Sequence, residues 1–340
     1  MNSTAKYARD FGRVHYPAWE GRAEAVRAAA ARLLGASTDE LAFVASTSDG
    51  LSTIATALDW RAGDSVVAVN GEFPANVYPW WALERIGVET RLAEAVNGRL
   101  TVDAIAKLID RTTRVVSVSA VDFATGQRRP LAAIGELCRR HDVLFCVDGI
   151  QALGALRIDV ERDGIDALVA DGHKWLCAPE GCGVLYVSRW LDRLVPQRIG
   201  WKSVVDPSRY LPYHFDLKSD AQKFECGSLN FLGIHALGAA LDLAFDIGVD
   251  EIERRVLDIT ARLREALTAR GIELVSPGAL DERSGITTMR TTEAPDVTVR
   301  RLRQAGVLAS PRGGGVRFSP HFYCNDDDVA RCLAVIAPWR

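Results

Sequence analysis

Lys174 follows His173 and the apolar run 167–170, and Asp148 follows the apolar run 143–147. Short runs of this kind, without polar alternation, read as strands buried on both faces of a parallel sheet. A lysine and a carboxylate at the carboxyl ends of two such strands suit pyridoxal phosphate chemistry. The lysine would hold the cofactor as a Schiff base, and the carboxylate would keep the pyridine nitrogen protonated so that the ring accepts electrons. A lone lysine is ordinarily a solvated surface charge. Lys174, however, sits between a buried-type strand and the Gly-rich turn APEGCGVLYV. An ammonium without a function would be costly there. Partial desolvation and nearby cations lower an amine's pKa, as such chemistry requires. Asp148 has a plainer alternative as a helix cap.

A cofactor phosphate needs backbone N–H groups, hydroxyls and a helix N-terminus. Residues 46–50, STSDG, precede the apolar helical run 51–58 and supply all three. Plain N-capping is the alternative reading. With DGHKW around Lys174, this order of motifs resembles the class V aminotransferase group of fold-type I pyridoxal-phosphate enzymes, which includes cysteine desulfurases and isopenicillin N epimerase. The resemblance implies a Schiff base at Lys174 and a pyridinium partner at Asp148, and the 26-residue separation of the two fits it. It implies phosphate contacts from Thr47, Ser48 and His173, and a hydrogen bond from Gln151 to the phenolic oxygen. An exposed polar residue is the plainer reading of Gln151. Ser228, in FECGSLN, matches a hydroxyl that the family contributes to the phosphate of the opposite subunit, which implies a homodimer with a shared active site. In GGGVRFSPHFYCNDDDV, Arg317 matches the arginine that grips the substrate carboxylate. A snorkelling surface arginine is the alternative there. Arg312 reads as a surface or loop charge, with a second clamp as the alternative.

The sequence also departs from the family. Asp171 stands where desulfurases often place a phosphate-binding hydroxyl, so its carboxylate must turn away from the phosphate or pair with a cation. In GEFPANVYPW, Phe73 replaces the desulfurase histidine; it can stack on the cofactor but cannot move a proton. An aromatic loop packed on the core is the bland reading of that segment. Asp122 lies in a loop where relatives place an amide near the cofactor, on a loose alignment. Cys324 falls seven residues after Arg317, whereas the desulfurase nucleophile precedes its arginine, and SPRGGG has no cysteine. These departures point away from cysteine desulfurase and toward the epimerase-like and aminotransferase-like branch. The N-terminal segment, residues 1–20, reads as shorter than in relatives.

The elements that must position these groups alternate. Runs at 66–69, 88–92, 115–121, 143–147, 168–170 and 184–187 read as strands, with helices at 102–109 and 131–140 between them and another at 23–34. Such alternation predicts an α/β fold with a mostly parallel sheet flanked by helices. The resemblance makes it a sheet of the seven-stranded type, in a large cofactor domain at 21–245 with a small α+β domain at 246–340. Residues 190–230 are irregular and aromatic, as active-site loops are. A helix at 234–246 leads to helices at 251–270, 295–306 and 326–336 and strands at 273–276 and 316–319.

Apolar residues at 48% and charged residues at 25% are ordinary for a soluble globular protein, and 340 residues can bury a large core. A net charge of −3 gives no electrostatic reason for nucleic acid or an acidic membrane as partner. The opening residues lack an apolar signal core, and seven cysteines without metal-type spacing fit a reducing cytoplasm and no zinc. The expected activity is pyridoxal-phosphate chemistry at Cα of an amino acid, first transamination, then epimerisation or C–S β-elimination. A catalytically retired binding partner is the alternative of a different class. Retention of Lys174, Asp148 and Arg317 together speaks against it.

Overall fold

The computed structural model describes residues 5, 6, 9, 12–96, 98–188 and 190–336. Much of the expected N-terminal segment at 1–20 therefore lies outside the described residues. Seven strands form the main sheet: β1 (Leu41–Val44), β2 (Ser65–Val69), β3 (Glu89–Ala93), β4 (Thr113–Ser119), β5 (Leu144–Asp148), β6 (Ala167–Asp171) and β7 (Gly183–Val187). Their spatial order is β1-β7-β6-β5-β4-β2-β3. β2 pairs in parallel with β3 and β4, and β4, β5 and β6 continue in parallel. β7 is antiparallel to both of its neighbours, β6 and β1.

The strands lack polar alternation because apolar layers cover both faces of the sheet. Along β2, Val66 and Ala68 join one core cluster while Val67 and Val69 join the other, as a period of two demands. Helix α1 (Tyr16–Leu34) carries Pro17 in its first turn and ends at Gly35, whose φ of 71° suits a helix C-cap. Helix α2 (Thr47–Ala57) follows β1, and α3 (Leu131–Arg140) leads from β4 to β5. α1 packs against α4 (Phe231–Ile247). Arg27 of α1 is buried and pairs with Glu225 at 2.6 Å, while Glu225 also accepts from the Phe43 N–H at 2.8 Å. That ion pair ties α1 and β1 to the loop that carries Ser228.

At Gly248 the chain bends by 81° into α5 (Val249–Thr268). Ile252 and Val256 at the start of α5 join the main core, and Leu263 and Leu267 join a separate C-terminal core with Met289, Leu302 and Val316. α5 thus fastens the C-terminal unit to the sheet. That unit holds β8 (Thr287–Met289), α6 (Pro295–Gln304), β9 (Ser310–Arg312), β10 (Gly315–Phe318) and α7 (Asp326–Ile336). Its strands are antiparallel in the order β8-β10-β9.

Three expectations need correction. The segment at 273–276 is not a strand but touches β8 through a single bridge, Leu274 to Met289. Gly271 before it and Pro277 after it leave little extended chain. β4 ends at Ser119 rather than at 121, and Val121 makes only an isolated bridge to Arg128. The helix expected at 102–109 is a short one, Val102–Ala106. Among the described residues, no single helix is long and apolar enough to cross a membrane.

Candidate active site

The carboxyl ends of β4, β5 and β6 meet at one edge of the sheet, where Ser119 is paired with Asp148 in register and Asp148 with Val169. Open α/β sheets place their ligands at this edge. Asp148 is buried, its Oδ1 accepts from the Ile150 N–H at 3.0 Å, and it has no salt-bridge partner among the described residues. Burial pushes its pKa up to about 7, only partly opposed by the Ile150 N–H; Glu72 adds to the rise and Lys174 opposes it.

Lys174 sits on the turn after β6. Burial lowers its pKa, with Asp148 opposing and the charge of Arg317 adding to the fall. Its Nζ lies 5.7 Å from the centroid of the Phe73 ring, and Phe73 meets Phe123 edge-on at 5.5 Å. A cavity of about 440 Å³ opens on this lysine. Phe73, Phe123, Gln151 and Trp175 line it from the large unit. Arg312, Arg317, Ser319, His321 and Tyr323 line it from the C-terminal unit. Larger hollows exist, of about 510 Å³ and 610 Å³, but arginines at their rims are already paired with acids: Arg128 with Glu253, Arg290 with Glu273. Chemistry rather than volume singles out the cavity at Lys174.

The anion turn lies beside it. Ser46 caps α2 by accepting from the Asp49 N–H at 3.1 Å, and Gly50 donates to the Ser46 carbonyl. The Thr47 and Ser48 N–H groups belong to the first turn, whose amides an α-helix leaves unbonded. Thr47 is buried, and its Oγ1 accepts from the Asp171 N–H at 3.0 Å, so the turn is stitched to the end of β6; Ser48 is exposed. α2 comes this close because Gly50 has no side chain: a Cβ there would lie 2.3 Å from Val169 Cγ1. Gly50→Ala should therefore cost about 1–3 kcal/mol and loosen the turn. A lowered urea midpoint together with weaker pyridoxal phosphate affinity is the expected readout; an unchanged midpoint would refute the packing argument.

Asp171 accepts from the Gly172 N–H at 2.7 Å, and its Oδ2 lies 3.0 Å from His173 Nδ1, close but without hydrogen-bond alignment. The carboxylate thus faces an imidazole. His173 lies against Asp171, with Nδ1 turned to that carboxylate. Gln151 Oε1 accepts from Trp175 Nε1 at 3.2 Å. That bond leaves the amide N–H groups of Gln151 for an acceptor in the cavity. Ser228 is exposed and does not line this cavity.

Arg317 donates from Nη1 to the Phe123 carbonyl at 2.6 Å, and its Nε is buried without a partner. Arg312, read from sequence as a loop charge, is on β9 and lines the same cavity. Asp122 is held within its own loop: its Oδ1 accepts from the Ala124 N–H and the Thr125 hydroxyl, capping its own turn, and Oδ2 lies 3.5 Å from Arg129. Cys324 lines a neighbouring cavity of about 390 Å³, bounded in common by Ser319, His321 and Tyr323.

Sequence reasoning missed His321 and Tyr323, although both stand in the quoted SPHFYC motif just past the arginine strand. His321 Nδ1 accepts from the Phe322 N–H at 2.8 Å. Nε2 therefore carries the proton. It donates to the Trp175 carbonyl at 2.9 Å. Burial lowers the pKa of His321, so the ring is held neutral. Tyr323 stacks on it at 4.8 Å. Glu72 was missed as well. It is fully buried at the end of β4, accepting from the Ser119 N–H at 3.0 Å and from the Ser119 hydroxyl, with Arg129 at 3.5 Å. Burial raises its pKa, partly offset by Arg129.

Pyridoxal phosphate fits these residues. A buried carboxylate without a cation is costly, and a protonated ring nitrogen would complete it. The donor set around it, an amine of lowered pKa, amide N–H groups at a helix start and a guanidinium with an orphaned Nε, suits an aldehyde, a phosphate and a carboxylate in turn.

The profile of a family described as "Aminotransferase class-V" matches residues 6–326. A protein of Methanothermobacter thermautotrophicus named "Probable cysteine desulfurase" is 30% identical over 320 residues, 88% of this chain and 79% of that protein. An uncharacterised aminotransferase of Bacillus subtilis is 29% identical over 309 residues, 90% of this chain and 81% of that protein. Among solved structures, apo cysteine desulfurase from Thermococcus onnurineus superposes with a TM-score of 0.87 at 24% identity, covering 95% of this chain and 84% of that one. The cystine C–S lyase C-DES, in complex with its product cysteine persulfide, gives a TM-score of 0.91 at 22% identity, covering 99% of this chain and 92% of that one. These likenesses establish the α/β fold described above, that of fold type I.

Proposed function

This chain belongs to the class-V aminotransferase family, and on that premise we propose that it is a pyridoxal-phosphate-dependent aminotransferase acting at Cα of an amino acid. Bound cofactor supplies an electron sink that acidifies the substrate's Cα–H bond. The observation that carries the reading is that Lys174 is the cavity's one available base. Arg312 and Arg317 are cationic, and both nitrogens of His321 are engaged. Burial and the thiols of Cys177 and Cys324 push the Tyr323 phenol up, so it keeps its proton.

Arg317 holds the α-carboxylate, with Nη1 braced by the Phe123 carbonyl. Lys174 Nζ, held partly desolvated and so more readily neutral, takes the proton from Cα. Phe73 would cover the cofactor ring with an apolar face and can deliver no proton from its side. Asp148 would hold the ring nitrogen's proton, and the free amide N–H groups of Gln151 would donate to the phenolic oxygen. One base serving both proton transfers favours transamination, whereas epimerisation requires proton delivery from both faces.

The protein acts as a homodimer in this reading, with Ser228 serving the partner's phosphate; its exposed position outside its own cavity supports that role. Incubation with an amino-acid panel in deuterated water tests the reading. A keto acid with stoichiometric aminated cofactor is expected. Deuterium at Cα without keto acid would replace it with epimerisation, and keto acid with loss of a β-group would replace it with elimination.

A further inference from the structure

Resting on that reading, we infer that the substrate is an amino acid with an acidic side chain, and that Arg312 holds this second anionic group while Arg317 holds the α-carboxylate. The strand register carries the inference. Gly313 and Gly314, with φ of 59° and 71°, make the two-residue turn between β9 and β10. That backbone favours glycine at both positions. The turn sets Arg312 directly opposite Gly315. Gly315 and Arg317 are two apart on β10 and so face the same way, and cross-strand partners share a face. Arg312 and Arg317 therefore project together, as diagonal neighbours about 7–8 Å apart. Both line the cavity that opens on Lys174.

No aspartate or glutamate lines the cavity, and neither arginine has a salt-bridge partner among the described residues. Arg312 donates only to the carbonyl of its neighbour Pro311, at 2.8 Å, and Arg317 Nε is buried without a partner. Burial depresses the pKa of Arg317, the charge of Arg312 depresses it further, and the nearby Asp122 carboxylate opposes both. Arg312 is exposed and so open to a ligand, and the repulsion between the two guanidiniums falls when an anion binds each. The cofactor's phosphate is assigned to the turn at 46–48, which is not among the residues lining this cavity, and not to Arg312. The α-carboxylate supplies one negative charge. A carboxylate or sulfinate on the substrate's side chain supplies the other.

The test is a visible-spectrum titration of the full chain reconstituted with pyridoxal phosphate. The ligands are L-aspartate, L-glutamate and L-cysteine sulfinate, beside L-asparagine and L-glutamine as near-isosteric neutral controls. Wild type should bind the matching acid about tenfold to a hundredfold more tightly than its amide, the range expected for a charged hydrogen-bonded pair. In Arg312→Gln that ratio should fall to near one. Equal affinity for acid and amide in wild type overturns the inference, whatever the variant's folding. A variant in which acids and amides weaken alike also overturns it, since Arg312 would then grip the α-carboxylate beside Arg317. A cofactor band that no amino acid moves is a different failure: it sinks the aminotransferase reading, and this inference with it.

Discussion

Replacing Lys174 with alanine is expected to abolish the visible band of bound pyridoxal phosphate and to lower turnover about ten-thousandfold or more. The size of the effect follows from the double use of one amine. Lys174 anchors the cofactor and also moves the substrate's α-proton, and the cavity holds no other group free to act as a base. Because Lys174 is part-buried on a turn and is not itself a member of a core cluster, its loss should leave the melting temperature of the cofactor-free protein nearly unchanged. Cofactor could still bind through the α2 turn, but without the lysine-dependent band. A variant that keeps the band and the turnover would show that another amine does the chemistry.

Asp148→Asn should lower turnover by about a hundredfold or more, because an amide cannot hold the ring nitrogen's proton. The same substitution should have the opposite effect on the cofactor-free fold. Unfolded, this carboxyl ionises near 3.8; folded, burial holds its proton until about 7. Between those values the folded chain binds more protons than the unfolded one. Asp148 therefore lowers stability progressively as pH rises through that window, and the loss levels off above about 7. Asparagine carries no such dependence. Cofactor-free Asp148→Asn should melt above cofactor-free wild type at about pH 8, with the gap closing toward about pH 5. Added pyridoxal phosphate should stabilise wild type more than the variant, since only wild type offers the ring nitrogen a carboxylate. An equal gap at both pH values would mean that Asp148 is not the strained, desolvated carboxyl described above.

The groups at the sheet edge were legible in the sequence because local signals mark them. Asp148 and Lys174 follow apolar runs too short for helices, and the STSDG turn precedes an apolar helical run. What was not legible depends on long-range pairing. β1 is only four residues long, and LAFV has no alternation to set it apart from a helix start. β9 contains a proline and lies on an edge of its sheet, so SPRGGG reads as loop. Its pairing with β10 is what brings Arg312, still exposed, to the rim of the cavity. Glu72 was invisible because its burial comes from Ser119 and Arg129, 47 and 57 residues away. Asp122 is ambiguous in the sequence for a local reason: an aspartate two or three residues before unbonded N–H groups caps its own turn as readily as it meets a ligand.

The most direct measurement is borohydride reduction of the protein loaded with pyridoxal phosphate, followed by digestion and mass spectrometry of every lysine-bearing peptide. One reduced cofactor adduct is expected, on Lys174 in the DGHKW segment, formed in wild type and suppressed by a substrate amino acid added before the reductant. An adduct on a different lysine, or none on a protein that binds the cofactor, would contradict it.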